Sequence, residues 1–335
     1  MSANEWDRLV EEFRALGGVL DNVRLGRGAI GRGLFPIDPN EPVKILVPEN
    51  LLFPIDEVEF VDGRLHVKKD DPPSHAVRFF EEYQEEYSWG AGGRSDCAAF
   101  LESMAELPEP VREVLTKDWG LGQLFRGIDA KVVQDRFLRT RMIYRNGRAV
   151  LMPILELVNH GVMGAPFRFA GGVSIAGTYE REVLARYNNV DSFGVFLVWG
   201  FPNAEPITYS LSLKLQLAGR SLVVGRELAK NKVHGTVRLP EVKVQGDTIH
   251  LSHLMLGSKI NPKLSRAIFR HVMKDLGFSQ RVDELFDRIR QMNGTRFLNL
   301  LSVLDDYESR TITTLRRMCR YQLAALMFCV GSREL

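Results

Sequence analysis

Apolar residues near the start of the chain recur at the spacing of a helix, and the pattern then changes to short strand-like runs. The positions at helical spacing are Trp6, Leu9, Val10, Phe13 and Leu16. They predict an amphipathic helix that ends at the Gly17-Gly18 pair. Short β-like runs follow from Val23 to about Val67, and Asp62-Gly63 within EVEFVDGRLHV predicts a hairpin with a two-residue turn.

Helical spacing returns from residue 74 to about residue 138, after a break at Pro72-Pro73. The stretch HAVRFFEEYQEEY is amphipathic, and Ser95 is predicted to cap the helix over DCAAFLESMAEL. Strand-like runs resume from Arg141 to about residue 217. A hairpin is predicted around Asn146-Gly147, and a buried strand is predicted over VDSFGVFLVWGF because that run is almost entirely apolar.

The last third of the chain is predicted to be mostly helical, after a hairpin at VKVQGDTIHLSHL. Two apolar stripes at helical spacing carry this prediction, namely Val282, Leu285, Phe286 and Ile289, and then Leu315, Met318, Leu323 and Met327. Strands and helices do not alternate strictly along the chain, which argues against a doubly wound parallel sheet. The predicted fold class is α+β, a β-rich body of short sheets with a helical insertion, followed by a helical C-terminal lobe.

Composition narrows the possible functions without selecting one. The 335 residues are 45% hydrophobic and 26% charged with a formal charge of +2, which is ordinary for a globular protein and indicates neither a nucleic-acid nor a membrane partner. The N-terminus does not resemble a signal peptide, and no apolar run is long enough to span a bilayer. Three widely separated cysteines fit a reducing cytosol and argue against a zinc site, so we expect a cytoplasmic protein.

Three short motifs carry candidate chemistry. GRGLF, from Gly31, is either a glycine-rich turn between strands or a loop whose backbone amides approach a ligand. In ELVNHG, His160 either ends a buried strand or acts in a site, although ligand spacing for a metal and a nucleophile elbow are both missing. Tyr187 is predicted to end a short strand, and Trp199-Gly200-Phe201 is predicted to end another. Aromatic residues at such spacing are usually core.

Taken together and in order, these motifs resemble the SET-domain methyltransferases, in the branch typified by the Rubisco large-subunit lysine methyltransferase. The matching segments are GRGLFP, LRTRMI, LMPILELVNHG, EVLARYNNVDSFGVFLVWGF and NAEPITYSLSL, between about residues 5 and 217. The resemblance implies a SET domain over residues 1–217, with its helical insertion at about 74–138. It also implies a mostly helical, substrate-binding-like domain over residues 218–335.

The resemblance further implies a binding site for S-adenosyl-L-methionine. Backbone groups of Ile30, Gly31 and Arg32 would contact its adenosine part, and the Arg141 guanidinium would pair with its carboxylate. The Asn159 side-chain amide and the His160 backbone would bind its amino and adenine groups. The adenine would also pack on an aromatic ring, that of Phe201.

The same resemblance assigns methyl transfer to Tyr187, whose phenol oxygen would help to align the reacting groups for direct displacement. The acceptor side departs from the family pattern. Trp199 replaces a second tyrosine, Asn188 replaces the glycine after the catalytic tyrosine, Glu156 replaces an aspartate and Gly161 replaces a serine. Residues predicted to line the substrate channel are Glu156, Trp199, Phe167 and Phe169.

The expected activity is therefore N-methylation of a lysine or histidine side chain in a protein or peptide, with that partner docked on the C-terminal helices. Two alternatives remain open on the residues alone. The first is a methyltransferase of the same fold that acts on a small molecule, for which a channel closed by Trp199 would be suitable. The second is a binding protein that kept the fold and lost the chemistry, as the altered acceptor side would allow.

Overall fold

The computed structural model describes residues 3–29, 31–68, 73–125, 127–187, 190–225, 233–234 and 237–327. Its helices are α1 (Ala3–Ala15), α2 (His75–Tyr87), α3 (Arg94–Ala105), α4 (Glu109–Trp119), α5 (Ala130–Arg141), α6 (Ser192–Trp199), α7 (Leu264–Asp275), α8 (Val282–Leu304) and α9 (Arg310–Met327). Short 3-10 turns span Glu49–Leu51, Ile55–Glu57, Gly122–Phe125 and Leu155–Leu157, and a π-type turn spans Trp89–Gly93. Among these described residues, no helix is both long and apolar enough to cross a membrane.

The strands before α6 are β1 (Val19–Asp21), β2 (Val23–Gly28), β3 (Gly31–Pro36), β4 (Val43–Pro48), β5 (Phe53–Pro54), β6 (Val58–Val61), β7 (Arg64–Val67), β8 (Met142–Arg145), β9 (Arg148–Leu151), β10 (Asn159–Ala165), β11 (Gly172–Gly177) and β12 (Leu184–Ala185). Those after it are β13 (Ile207–Tyr209), β14 (Leu213–Leu217), β15 (Arg220–Gly225), β16 (Val233–His234), β17 (Val237–Arg238), β18 (Glu241–Gln245), β19 (Thr248–Ser252) and β20 (Met255–Ser258). These strands form separate sheets of two to four strands. The pairing is antiparallel except for β10 with β12 and β15 with β19, so the predicted mixture of helices and short sheets is confirmed.

Local turn chemistry explains why the predicted hairpins form. Asp62 and Gly63 both have positive φ (49° and 80°), as do Asn146 and Gly147 (51° and 81°). That pair of conformations is the two-residue turn whose twist matches antiparallel strands. The hairpins β6–β7 and β8–β9 are therefore confirmed, and β18 pairs with β19 as predicted for VKVQGDTIHLSHL.

Three predictions about element boundaries are wrong. The stretch VDSFGVFLVWGF contains helix α6 and no strand; the Asp191 carboxylate caps its start by accepting from the Gly194 amide at 2.8 Å, and Gly200, with φ of 84°, ends it. Ser95 does not cap α3, because that helix begins one residue earlier and the Ser95 hydroxyl donates to the Gly92 carbonyl. Arg141 is the last residue of α5, and the strand begins at Met142.

The chain divides into two compact units. Unit 1 comprises residues 1–102 and 128–187, and unit 2 comprises residues 103–127 and 188–335. Unit 2 thus includes part of the predicted helical insertion as well as the last third of the chain. The boundary predicted at residue 217, between a SET domain and a mostly helical domain, stays a prediction.

Each unit has an aromatic core. In unit 1, Phe79, Tyr83 and Tyr87 follow one another at four-residue spacing on α2, with ring centroids 6.4 and 6.2 Å apart, so they lie on one face of the helix. Trp6 and Phe13 of α1 pack on that face, 5.4 Å from Tyr87 and 5.9 Å from Phe79. In unit 2, α4, α6 and α8 meet through three rings with centroids 5.5 to 5.9 Å apart, those of Trp119, Phe193 and Phe297.

Unit 2 also contains a fully buried side-chain amide, that of Asn293 on α8, which forms hydrogen bonds with the segment between β13 and β14. Its Oδ1 accepts from the Leu211 amide at 2.7 Å, and its Nδ2 donates to the Ser210 hydroxyl at 3.1 Å and to the Ile289 carbonyl at 2.8 Å. The amide thus gives partners to buried polar groups between β13 and β14 that water does not reach.

We expect Asn293→Ala to lower the free energy of unfolding by about 2–3 kcal/mol, because it leaves the buried Leu211 N–H without an acceptor. Urea denaturation would measure this loss. Asn299→Ala is the matched control, since Asn299 is an exposed asparagine on the same helix. Equal stability of the two variants would contradict the assignment of Asn293 as a structural link.

Candidate functional site

The glycine-rich segment of unit 1 folds as hairpin β2–β3 with one face almost free of side chains. Gly26 pairs with Gly33, and Gly28 pairs with Gly31. Residues directly opposite in an antiparallel pair point to the same face, so the four glycines together expose bare backbone there. Gly31 has φ of 122°, and added atoms at its Cβ position would meet nothing within 4 Å. Glycine is therefore required at position 31 for the backbone conformation, and not because a side chain would meet a neighbouring atom.

Other positions on this glycine face are glycine because neighbouring side chains fill the space above them. A Cβ on Gly33 would come within 2.3 Å of the Glu182 Oε1 atom, and one on Gly28 would come within 2.5 Å of its Oε2 atom. A Cβ on Gly26 would lie 2.6 Å from the Phe35 ring. The glycine face is thus a cradle, and the Glu182 carboxylate lies in it.

Asn159, in the ELVNHG motif, connects that motif to the glycine cradle. Its Nδ2 donates to the Arg32 carbonyl at 2.9 Å and to the Glu182 Oε1 atom at 2.6 Å. The Arg32 guanidinium is used elsewhere, because it donates to the carbonyls of Tyr87, at 2.9 Å, and Ala91 beyond the end of α2. Arg32 therefore joins Asn159 through its backbone carbonyl, while its side chain holds the helical insertion.

Parallel pairing of β10 with β12 brings His160 beside the segment that leads to Tyr187. Asn159 pairs with Leu184 and His160 pairs with Ala185. The His160 side chain is buried, and its Nδ1 accepts from the Tyr187 amide at 3.2 Å. Acceptance at Nδ1 requires the neutral ring with its proton on Nε2. The imidazole thus holds the backbone of Tyr187, and among the described residues no group of three potential metal ligands occurs.

Tyr187 itself is held by its hydroxyl, which donates to the Val158 carbonyl. Burial raises the pKa of Tyr187 well above its usual value of 10, and the charges of Glu156 and Glu182 raise it further while Arg141 lowers it. The phenol therefore stays protonated at physiological pH.

Arg141 and Glu156 form a partly hidden ionic cluster near this phenol. The Arg141 Nε lies 4.0 Å from the Glu156 Oε1 and donates to the Ser88 hydroxyl at 3.3 Å, and Ser88 in turn donates to Glu156. The Arg141 guanidinium also covers the Phe137 ring at 4.6 Å. Burial raises the pKa of Glu156 even though Arg141 opposes the shift. A contact of 4.0 Å is too long to offset the loss of solvation of a carboxylate with 1% exposure.

Most of the predicted site residues of unit 1 come together. The hairpin holds Gly31 and Arg32, the parallel pair holds Asn159 and His160, and Tyr187 follows directly. The remaining predicted residues are placed as follows: Phe167 stacks near Tyr187 with centroids 6.5 Å apart, Phe169 is 41% exposed and lies under Arg145, Trp199 ends α6 in unit 2, Phe201 follows it in unit 2, and Ile30 and Asn188 lie outside the described residues.

Sequence reasoning missed two residues that complete the site. Glu182 was treated only as the first letter of the EVLARY motif, and Ser88 was not singled out at all. The sequence feature that could have identified Glu182 is its position five residues before Tyr187. This segment reaches the glycine hairpin, because the Val183 amide donates to the Leu34 carbonyl at 2.8 Å. Ser88 had no local signal, because its partners Arg141 and Glu156 are more than 50 residues away along the chain.

Comparison with known proteins identifies one relative of the chain but assigns the chain no activity. No family model matches the chain. A protein of Aquifex aeolicus (strain VF5), described as "Uncharacterized protein", is 35% identical over 108 residues, which are 31% of this chain and 88% of that protein. The chain belongs to the same family as this Aquifex aeolicus protein. This relationship carries no statement about a reaction.

The raised pKa of Glu156 predicts a characteristic pH dependence of stability. The folded state holds the Glu156 proton more tightly than the unfolded state does, since its ordinary pKa is 4.5. The contribution of this group is thus fully present below pH 4.5 and is lost as pH rises through the higher folded-state pKa. We expect wild type to lose stability relative to Glu156→Gln as pH increases from 4 to 8, measured by urea denaturation.

The control for this measurement is Glu59→Gln, at an exposed glutamate on β6. Its stability difference from wild type should stay nearly constant over the same pH range, because an exposed carboxyl group is solvated in both states. A flat difference for Glu156→Gln, or one that grows in favour of wild type at high pH, would contradict the burial argument.

Proposed function

We propose that the chain is an S-adenosyl-L-methionine-dependent N-methyltransferase of the SET type that acts on a lysine or histidine side chain of a protein or peptide. The observation that carries this proposal is the convergence of three distant motifs in unit 1. Asn159 bonds to the Arg32 carbonyl of the glycine hairpin, and its strand pairs with the segment that ends at Tyr187. The resemblance in sequence requires these motifs to meet, and in unit 1 they do.

The residues of unit 1 fit the cofactor. The glycine hairpin provides backbone that a ligand can approach closely at Gly31, where no atom lies within 4 Å of the Cβ position. Arg141 donates through Nε and Nη1 to described residues and has a further Nη2 donor directed to none of them, so its fork can still take a carboxylate. When bound, S-adenosyl-L-methionine would supply an electrophilic methyl group on sulfur.

The proposed role of Tyr187 is to orient and not to remove a proton. Its phenol is protonated at physiological pH because its pKa is raised by burial, and its hydrogen goes to the Val158 carbonyl. The acceptor nitrogen has to lose its proton by another route, and for lysine a desolvated channel favours the neutral amine.

The acceptor is proposed to be a lysine or a histidine because the second tyrosine of the family is a tryptophan here, Trp199. An indole offers an aromatic face to a methylated cation but no hydroxyl to bind the amine. A histidine nitrogen, which is neutral at lower pH than lysine, depends less on such a hydroxyl. A cytoplasmic location and the docking of the polypeptide substrate on the C-terminal helices are further parts of the proposal.

The proposal is tested by incubating the protein with methyl-labelled cofactor and peptide arrays that display lysine or histidine. We expect Tyr187→Phe to lower kcat about 100-fold, as for loss of one oriented polar group at a reacting centre, with little change in cofactor affinity. Tyr144→Phe, at a tyrosine that is 56% exposed, is the matched control and should be fully active.

The dependence of the methylation rate on pH distinguishes titration of Tyr187 from titration of the acceptor amine. Because the pKa of Tyr187 is raised above 10, a rise in rate between pH 7 and 9 has to come from the acceptor amine. The rise should therefore stay in place in Tyr187→Phe. Unchanged turnover in that variant would contradict the catalytic role, and calorimetry without cofactor binding would favour the binding-protein alternative.

A further inference from the structure

The four-stranded sheet of unit 2, in which the strands follow the order β14, β15, β19 and β18, ends in an edge strand that is exposed along its whole length. Every residue of β18 is exposed, whereas β19 beside it alternates between buried and partly buried positions. Among the strands that the structure describes, none pairs with the outer side of β18. An edge of this kind is a template to which another strand can add.

The backbone of β18 directs hydrogen-bonding groups toward that outer side. The Glu241 amide donates to the Ser252 hydroxyl of β19 at 3.3 Å, so the backbone of Glu241 faces β19. Successive residues of an antiparallel strand face its two sides alternately, so the N–H and C=O groups of Val242 and Val244 point away from β19. On that side neither valine has a backbone hydrogen bond with any described residue.

The same two valines leave the apolar face of the sheet incomplete. In the antiparallel register Val242 lies opposite Leu251 and Val244 lies opposite Ile249, so the members of each pair share a face. Ile249 and Leu251 are buried, whereas Val242 is 40% exposed and Val244 is 49% exposed. The apolar layer of the sheet therefore extends to β18, beyond the part that the described residues cover.

The order of residues along β18 is complementary to a second copy of itself in antiparallel orientation. When Val242 lies opposite Val242 of the second copy, Glu241 lies opposite Lys243 of that copy, and Lys243 lies opposite its Glu241. Opposite charges at directly opposed positions stabilise a strand pair. Val244 then lies opposite Pro240 of the second copy, whose carbonyl can accept from the Val244 amide although proline has no N–H to return.

A neighbouring register lacks this complementarity. Centring the pair on Lys243 would place the two lysines directly opposite each other, and like charges at opposed positions destabilise a strand pair. A lone lysine on an edge strand usually opposes pairing for the same reason. In β18, however, the glutamate two residues away supplies the opposite charge, so the pattern favours one register of self-pairing.

We infer that unit 2 forms a homodimer in which β18 pairs antiparallel with β18 of a second copy, with the two-fold axis between the two copies of Val242. The interface is isologous, so each ion pair between Glu241 and Lys243 occurs once on either side of the axis. The two sheets become one continuous sheet, and Pro240 and Val242 of the second copy cover the exposed valines. This inference does not depend on the proposed function.

The test is sedimentation velocity of the full chain over a dilution series. Lys243→Glu places like charges opposite each other on both sides of the axis, and we expect it to raise the dissociation constant of the dimer about tenfold. The double variant, Glu241→Lys with Lys243→Glu, restores opposite charges at both places and should recover the wild-type constant. Lys214→Glu, at an exposed lysine on β14 at the other edge of the same sheet, is the matched control and should leave the constant unchanged.

Val242→Pro tests the backbone pairing separately. Proline removes the amide hydrogen at the centre of the pairing, but that hydrogen points away from β19, so the sheet within one copy stays intact. We expect a monomer with the circular dichroism spectrum of the wild type.

Two results would overturn the inference. One is a wild-type chain that stays monomeric at about 200 µM, a concentration at which even a small specific interface is occupied. The other is a dimer that Lys243→Glu weakens but the double variant does not recover, since pairing with a surface of different sequence would behave in that way.

Discussion

The side-chain amide of Asn159 makes the connection on which the rest of the site depends. Through its two hydrogens it joins the Arg32 carbonyl, 127 residues earlier in the chain, to the Glu182 carboxylate, 23 residues later. An amide can do this because it has two donors at a fixed angle. If this side chain were removed, the Arg32 carbonyl of the glycine hairpin and the Glu182 carboxylate would both lose the donor that joins them to β10.

The site balances buried charge against solvation. Glu156 is fully buried beside Arg141, yet its pKa is raised, so burial outweighs the ion pair. Glu182 is more open and bonds to an amide in place of a cation. The two carboxylates are therefore not equivalent: one is enclosed beside side chains of the helical insertion, and the other is partly buried and accepts from a neutral amide.

What could be predicted from the sequence depended on how local the cause was. The hairpin turns at Asp62-Gly63 and Asn146-Gly147 follow from the conformations that these residues permit, so they were predicted correctly. The segment of helix α6 is predicted as a strand because the run from Phe193 to Trp199 has no polar position that would reveal a helical period. The cap at Asp191 and the stop at Gly200 were present in the sequence and would have corrected this. The contact of Glu182 with Gly33 joins residues 149 positions apart, and no local pattern predicts it.

His160 shows how the structure changes the meaning of a residue without removing its importance. A histidine next to an asparagine suggests a base or a ligand, but here Nδ1 accepts from the Tyr187 backbone amide, and the side chain is buried. Protonation at Nδ1 would turn this acceptor into a donor that faces another donor, so the Tyr187 backbone would lose its anchor. The neutral ring is therefore a structural requirement of the site. A histidine whose Nδ1 must accept in order to hold Tyr187 is unsuited to carry protons, so in the proposed methyl transfer the acceptor would have to lose its proton by another route.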